Sequence, residues 1–232
     1  FHITIYRSEY PGRTRYEADR MAYMIGEITE EPCILDYDTD AHSGWAITAQ
    51  HVQSEFLGGK NKFAVQYGEG SGTGLGYTGD FRLDNSSKRY RIVEFFDWQV
   101  TPRFGGQVEA VYQKDFRPDG GNQEWLSLGV RPTYAISEQF KLVTELGHDQ
   151  LKAADGTRKL SKFTFAPTWS PKGPGFWTRP EVRLYYTYAS WNAAAQRAAN
   201  EFDAGSALSD SGAFGSARHG SNAGLQVEYW WK

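Results

Sequence analysis

Two short stretches set tryptophan beside charged residues at regular spacing. In the first, Trp177, Arg179, Glu181 and Arg183 recur at every second position. In the second, Glu228 and Trp230 share that spacing. In an extended chain, alternate side chains fall on one face, so each indole would stand beside charged groups. A saccharide presents apolar C–H faces rimmed by hydroxyls. An aromatic ring can stack on such a face while guanidinium and carboxylate groups hydrogen-bond the rim. The competing reading is plainer: the indoles fill a wall or belong to an aromatic girdle, and each charge is a solvated wall residue. Spacing alone leaves both open.

Other groupings carry less chemistry. His148–Asp149 has no Ser or Cys motif to complete a triad, which needs three groups in fixed roles. The run GEGSGTGLG (68–76) has the spacing of a dinucleotide loop. It follows a strand-like run but precedes no helix, so a surface loop is expected. DYDTD alternates Asp36, Asp38 and Asp40, yet lacks the Gly and terminal Glu of a calcium loop and reads as a solvated acidic loop. Cys33 is the sole cysteine, which excludes an internal disulfide and a CxxC motif. No catalytic residue, metal site or cofactor is expected.

The elements that would position these residues are strands. Among 232 residues there are 25 Gly, 14 Tyr, 14 Phe and 8 Trp, a bias toward β structure with tight turns. A net charge of −3 with no basic block argues against nucleic acid as a partner. The mean hydropathy of −0.61 is that of a soluble protein. It is equally compatible with a membrane barrel, in which only every second strand residue faces lipid. No apolar run approaches the roughly 18 residues of a transmembrane helix. The start shows neither an initiator Met nor a charged-then-apolar leader, so either processing removed it or the chain is a fragment.

From about Trp45 onward, runs of about ten residues alternate with turn chemistry. Strands are expected near 44–56, 62–68, 89–101, 106–114, 124–136, 140–150, 160–169, 176–191 and 222–231. Short connections at 57–61, 102–105, 137–139 and 170–175 alternate with longer ones at 69–88, 115–123, 151–159 and 192–221. Short periplasmic turns and long extracellular loops are the habit of outer-membrane barrels. Within strands the faces separate. Leu126, Leu128, Val130 and Tyr134 oppose Trp125, Ser127, Arg131 and Thr133. The apolar face tends to end in Tyr or Trp (Tyr112, Trp169, Tyr188, Trp231), as an interfacial girdle would. That favours a barrel over a soluble sandwich. Glu94 interrupts the face of Ile92, Phe96 and Trp98, and 44–56 has no clear polarity. The opposite, lumenal face would carry Glu109, Arg131, Lys162, Arg179, Glu181, Arg183 and Glu228, with Trp177 and Trp230. Residues 1–43 form a poorly assigned segment. HITIYR and MAYMIGEI read as two strands, with a helix near 16–26 as the alternative. Residues 44–232 form the barrel part.

Several stretches carry a family resemblance: GWAITAQHVQS (44–54), NKFAVQY (61–67), LGVRPTYAIS (128–137), FWTRPEVRLYYTYASW (176–191) and LQVEYWW (225–231). In these the chain resembles the maltoporins, outer-membrane channels for maltodextrins with sucrose-specific relatives. The resemblance covers roughly 44–231 and is most specific at WxRPxxR and the terminal WW. It implies an all-β, transmembrane antiparallel barrel of about 18 strands, of which about 9–11 are read here. It implies a homotrimer in the bacterial outer membrane, surrounded by lipid and passing oligosaccharides by passive diffusion without catalysis. It also implies a slide of lumenal aromatics flanked by ionic residues. Trp177 and Trp230 match two slide positions. Arg131, Arg179, Arg183, Glu109 and Glu228 are the sugar-binding candidates beside them. A third slide aromatic of the family lies just before the NKF stretch, where this chain reads Gly58, Gly59, Lys60 and Asn61. Lys232 follows the final aromatic on which the family ends. The alternatives are a general, non-selective porin and a soluble carbohydrate-binding β-sandwich.

Overall fold

Period-two patterning, interrupted by glycine, proline and polar turns, produces one long meander of strands. The computed structural model describes residues 2–8, 42–75 and 79–231, the first of these through the backbone. Its strands are β1 (His2–Ser8), β2 (Gly44–Phe56), β3 (Gly59–Glu69), β4 (Lys88–Thr101) and β5 (Phe104–Phe116). They continue as β6 (Gln123–Ala135), β7 (Phe140–Ala153), β8 (Gly156–Trp169), β9 (Glu181–Trp191) and β10 (His219–Glu228). One helix, α1 (Ala193–Phe202), lies in the last connection. Each strand pairs antiparallel with the next, giving a ten-stranded sheet in chain order. The fold is all-β, and no described helix is long and apolar enough to cross a membrane.

The register makes the two faces continuous across the sheet. One row runs Lys62, Phe95, Glu109, Gly129, Gly147 and Lys162, all on the polar face. The opposite face carries the large apolar residues, and they are exposed: Leu128 44%, Leu146 54%, Leu184 60%, Leu225 69%. A sandwich would bury this face under a second sheet. Among the described residues nothing covers it, which is the arrangement lipid requires. Aromatic rings border the face at both strand ends. At one end Trp45, Tyr67, Tyr90 and Phe116 follow one another at 4.6–5.7 Å. At the other, Phe56, Phe96, Trp98 and Phe104 do so at 5.3–6.2 Å. Glu94 lies within the apolar face, paired across to Phe63 and Ala110.

Three expected boundaries move. The strand expected over 176–191 begins only at Glu181, so Trp177 and Arg179 sit in the connection 170–180. Pro171, Pro174 and Pro180 explain this, since a proline cannot donate to a ladder. The loop expected at 151–159 is instead a hairpin, with pairing continuing to Ala153 and Gly156. On its flanks the pattern inverts, with Gln150, Lys152, Thr157 and Lys159 on the apolar-face side and Leu151 and Leu160 on the other, but backbone pairing does not depend on that pattern. The last strand spans His219–Glu228 rather than 222–231. The glycine-rich run is also not a surface loop. Gly70–Gly74 is a buried 3₁₀ turn pressed on the sheet, where a Cβ on Gly72 would meet the Trp45 carbonyl oxygen at 2.0 Å. HITIYR, read as a strand, lies within β1, whereas MAYMIGEI falls outside the described residues. The acidic DYDTD run and the segment 16–26 lie outside the described residues.

Candidate functional site

The connection 170–180 folds back over the polar face near the short-turn end of the sheet. Four anchors hold it. Ser170 N–H donates to the Gln139 carbonyl at 2.7 Å. Phe176 N–H donates to Gln99 Oε1 at 3.0 Å. Lys141 Nζ donates to the Gly175 carbonyl at 2.8 Å. Trp177 Nε1–H donates to Asp97 Oδ2 at 3.2 Å. The Lys141 ammonium also lies 2.8 Å from Glu181 Oε2, and the two side chains are 1% and 2% exposed. A pair so dry is held by geometry, because each charge left alone would be strongly penalised.

On this base five of the seven expected residues come together. The Trp177 and Trp230 rings are 6.0 Å apart and inclined by 38°. They are 47% and 48% exposed. The Arg179 guanidinium lies 4.7 Å from the Trp230 ring centroid, a cation–π contact. Arg179 also lies 3.1 Å from Glu228 and 3.2 Å from Glu181. Arg183 Nε donates to Glu181 Oε1 at 2.6 Å, and its Nη2 donates to Glu228. Arginine forks and carboxylates thus fix one another. The result is two open aromatic surfaces beside immobilised donors and acceptors.

Arg131 and Glu109 belong elsewhere, in the middle of the wall. Arg131 donates twice to Glu145 Oε2, at 2.9 and 2.6 Å, and Lys162 lies 2.7 Å from Glu145 Oε1. Glu109 accepts from Gln107. Around them is a recess of about 280 Å³, floored by Gly129 and Gly147. Nothing stands within 4 Å of where a Gly129 Cβ would be. His148 and Asp149 point to opposite faces, so they make no pair. His148 Nδ1 is 2.9 Å from Ser161 Oγ on the apolar side, and Asp149 accepts from Trp125 on the polar side.

Lys141, Glu145 and Asp97 are not singled out by the sequence pattern. Lys141 and Glu145 alternate with Val143 on β7, and Asp97 lies on the polar-face parity of β4. Their parity was available. What pattern could not supply was the connection 170–180 crossing the sheet from β8 to reach Asp97.

A continuous sheet with an exposed apolar face, aromatic borders and an ionic opposite face is the anatomy of an outer-membrane pore. A family model for LamB porins matches the chain from residue 20 to residue 231, including every strand from β2 to β10. The chain belongs to the LamB porin family, channels of the bacterial outer membrane.

Proposed function

We propose that the protein is a passive channel selective for carbohydrate, with maltodextrins or related oligosaccharides moving along its polar face. The observation that carries this reading is the Trp177–Trp230 pair, half exposed and braced by Arg179. A pyranose ring stacks on such surfaces. Arg179, Arg183 and Glu228 exchange hydrogen bonds with its hydroxyls, and Arg131 and Glu109 do the same further along the wall. Alternating cations and carboxylates suit a neutral polyol better than an ion of either sign. No covalent step is involved.

The long-loop end is read as extracellular and the short-turn end as periplasmic. The protein assembles as a homotrimer within outer-membrane lipid. Glu94 supports subunit contact, because a carboxylate in a lipid-facing band is unfavourable and a neighbouring subunit can cover it. The decisive experiment is ion conduction through the reconstituted pore during maltodextrin titration. Sugar is expected to block the current, and Trp230→Ala to weaken the block about tenfold, the scale of one lost stacking contact. Unchanged block in both Trp177→Ala and Trp230→Ala sinks the assignment. Conduction with no block at all would favour the general porin, a reading supported by the absence of an aromatic at 58–61.

A further inference from the structure

The long-loop end holds a second amphipathic site, distant from the tryptophan pair. The connection 192–218 turns inward, and α1 lies over the polar face of β6, β7 and β8. Between helix and sheet is a cavity of about 600 Å³, within the range of small-molecule sites. Its floor is Trp125, Leu151 and Leu160, and its roof is the alanine side of α1 with Phe202 at the rim.

Three features suggest a built site rather than loose packing. First, the roof is fixed. Asn192 caps α1 by accepting from Ala195 N–H at 3.0 Å. The same side chain accepts from Lys159 N–H at 3.1 Å and donates to the Thr157 carbonyl at 2.8 Å. The helix start is therefore sewn to β8, while the small side chains of Ala195 and Ala198 let the helix approach closely. Second, the Trp125 indole is oriented, because its N–H donates to Asp149 Oδ1 at 3.2 Å. Third, Arg158 stands at the rim with its guanidinium 5.6 Å from the Phe202 ring. Its Nε is buried and has no hydrogen-bond acceptor among the described residues.

Two of the charged lining residues are ion-paired, and Asp149 and Asp203 add carboxylate acceptors at the wall and rim. Asp115 is ion-paired with Arg89 at 2.7 Å, and Arg158 with Asp155 at 2.8 Å. A lining with aromatic and aliphatic surfaces beside fixed carboxylate acceptors and a guanidinium donor matches a polyhydroxylated ring. We infer that this cavity is an extracellular capture subsite for saccharides, in which Trp125 and Phe202 contact the sugar's apolar face and Arg158 and Asp149 its hydroxyls. The inference rests on the sugar-channel reading and adds to it a first contact on the outside.

The test is sided. In the reconstituted channel, maltodextrin is added to one side at a time and the rates of current block are measured. Trp125→Ala and Phe202→Ala should each slow association from the long-loop side by roughly three- to tenfold. Association from the short-turn side should stay as in the parent. As a check independent of conduction, Phe202→Cys in a Cys33→Ser background gives a thiol at an exposed position. Maltodextrin should slow its labelling by a maleimide at least threefold. If both alanine variants keep parental rates and labelling ignores sugar, while Trp230→Ala still weakens block, the capture site is refuted and the channel reading stands. If Trp177→Ala and Trp230→Ala also leave the block unchanged, the tryptophan assignment falls together with the capture site.

Discussion

The two ends of the wall are built on different principles. At the short-turn end, aromatic rings rest on a dry ionic lattice in which Lys141 and Glu181 are almost inaccessible. At the long-loop end, rings flank a cavity whose roof is a capped helix, and the rim ion pair Arg158–Asp155 is partly exposed, at 22% and 43%. The first end holds its rings in one arrangement and tolerates little change. The second has an apolar floor of Trp125, Leu151 and Leu160 under a helix tied to β8 through Asn192. Under the sugar-channel proposal, a saccharide entering from the long-loop side would meet the helix-covered cavity before the ion-locked tryptophan pair.

The comparison breaks most visibly at Lys141. Lys141→Ala removes the ammonium that ties Glu181 to the Gly175 carbonyl. Deleting one partner of a buried pair costs about 3–5 kcal/mol, and the low end applies because Arg179 and Arg183 still face Glu181. We expect a large loss of resistance to denaturant in detergent micelles, with loss of sugar block as Trp177 leaves its place. A variant with parental unfolding would mean that the lattice does not hold the connection 170–180.

The matching test at the other end is Asn192→Ala. It deletes the helix cap and both side-chain bonds to β8. A lost cap costs about 1 kcal/mol, and the added bonds bring the total to roughly 2 kcal/mol. Because the loop is local, the barrel should unfold as in the parent. The expected change is faster proteolytic nicking between 192 and 218 on intact cells.

The two ends were also unequally legible. Strand positions and faces followed from alternation, because lipid on one side and water on the other impose a period of two. Trp177, Trp230, Arg179, Arg183 and Glu228 could be grouped from spacing, although Trp177 and Arg179 reach the polar face from a connection rather than a strand. Arg131 and Glu109 share that face but lie apart from the pair, a separation that needs register rather than parity. The capture cavity was invisible. Trp125 was placed on the polar face, but nothing in AAAQRAANEF announces which strands its helix will cover. Long-range pairing such as Trp177 to Asp97 is likewise set by three-dimensional closure, not by neighbours in sequence.

The smallest effect is the sharpest check on the contrast. Asp155→Ala removes the partner of Arg158 at the tip of the β7–β8 hairpin. Exposed ion pairs contribute about 0–1 kcal/mol and weaken with salt, so the variant should unfold within roughly 0.5 kcal/mol of the parent. The Arg158 guanidinium would keep its contact with Phe202, so sugar association from the long-loop side should change less than in Phe202→Ala. If Asp155→Ala instead destabilises the protein as much as Lys141→Ala, exposure is not what separates the two ends. The rim pair would then be part of a rigid frame, and the long-loop end would have to be regarded as being as preorganised as the tryptophan site.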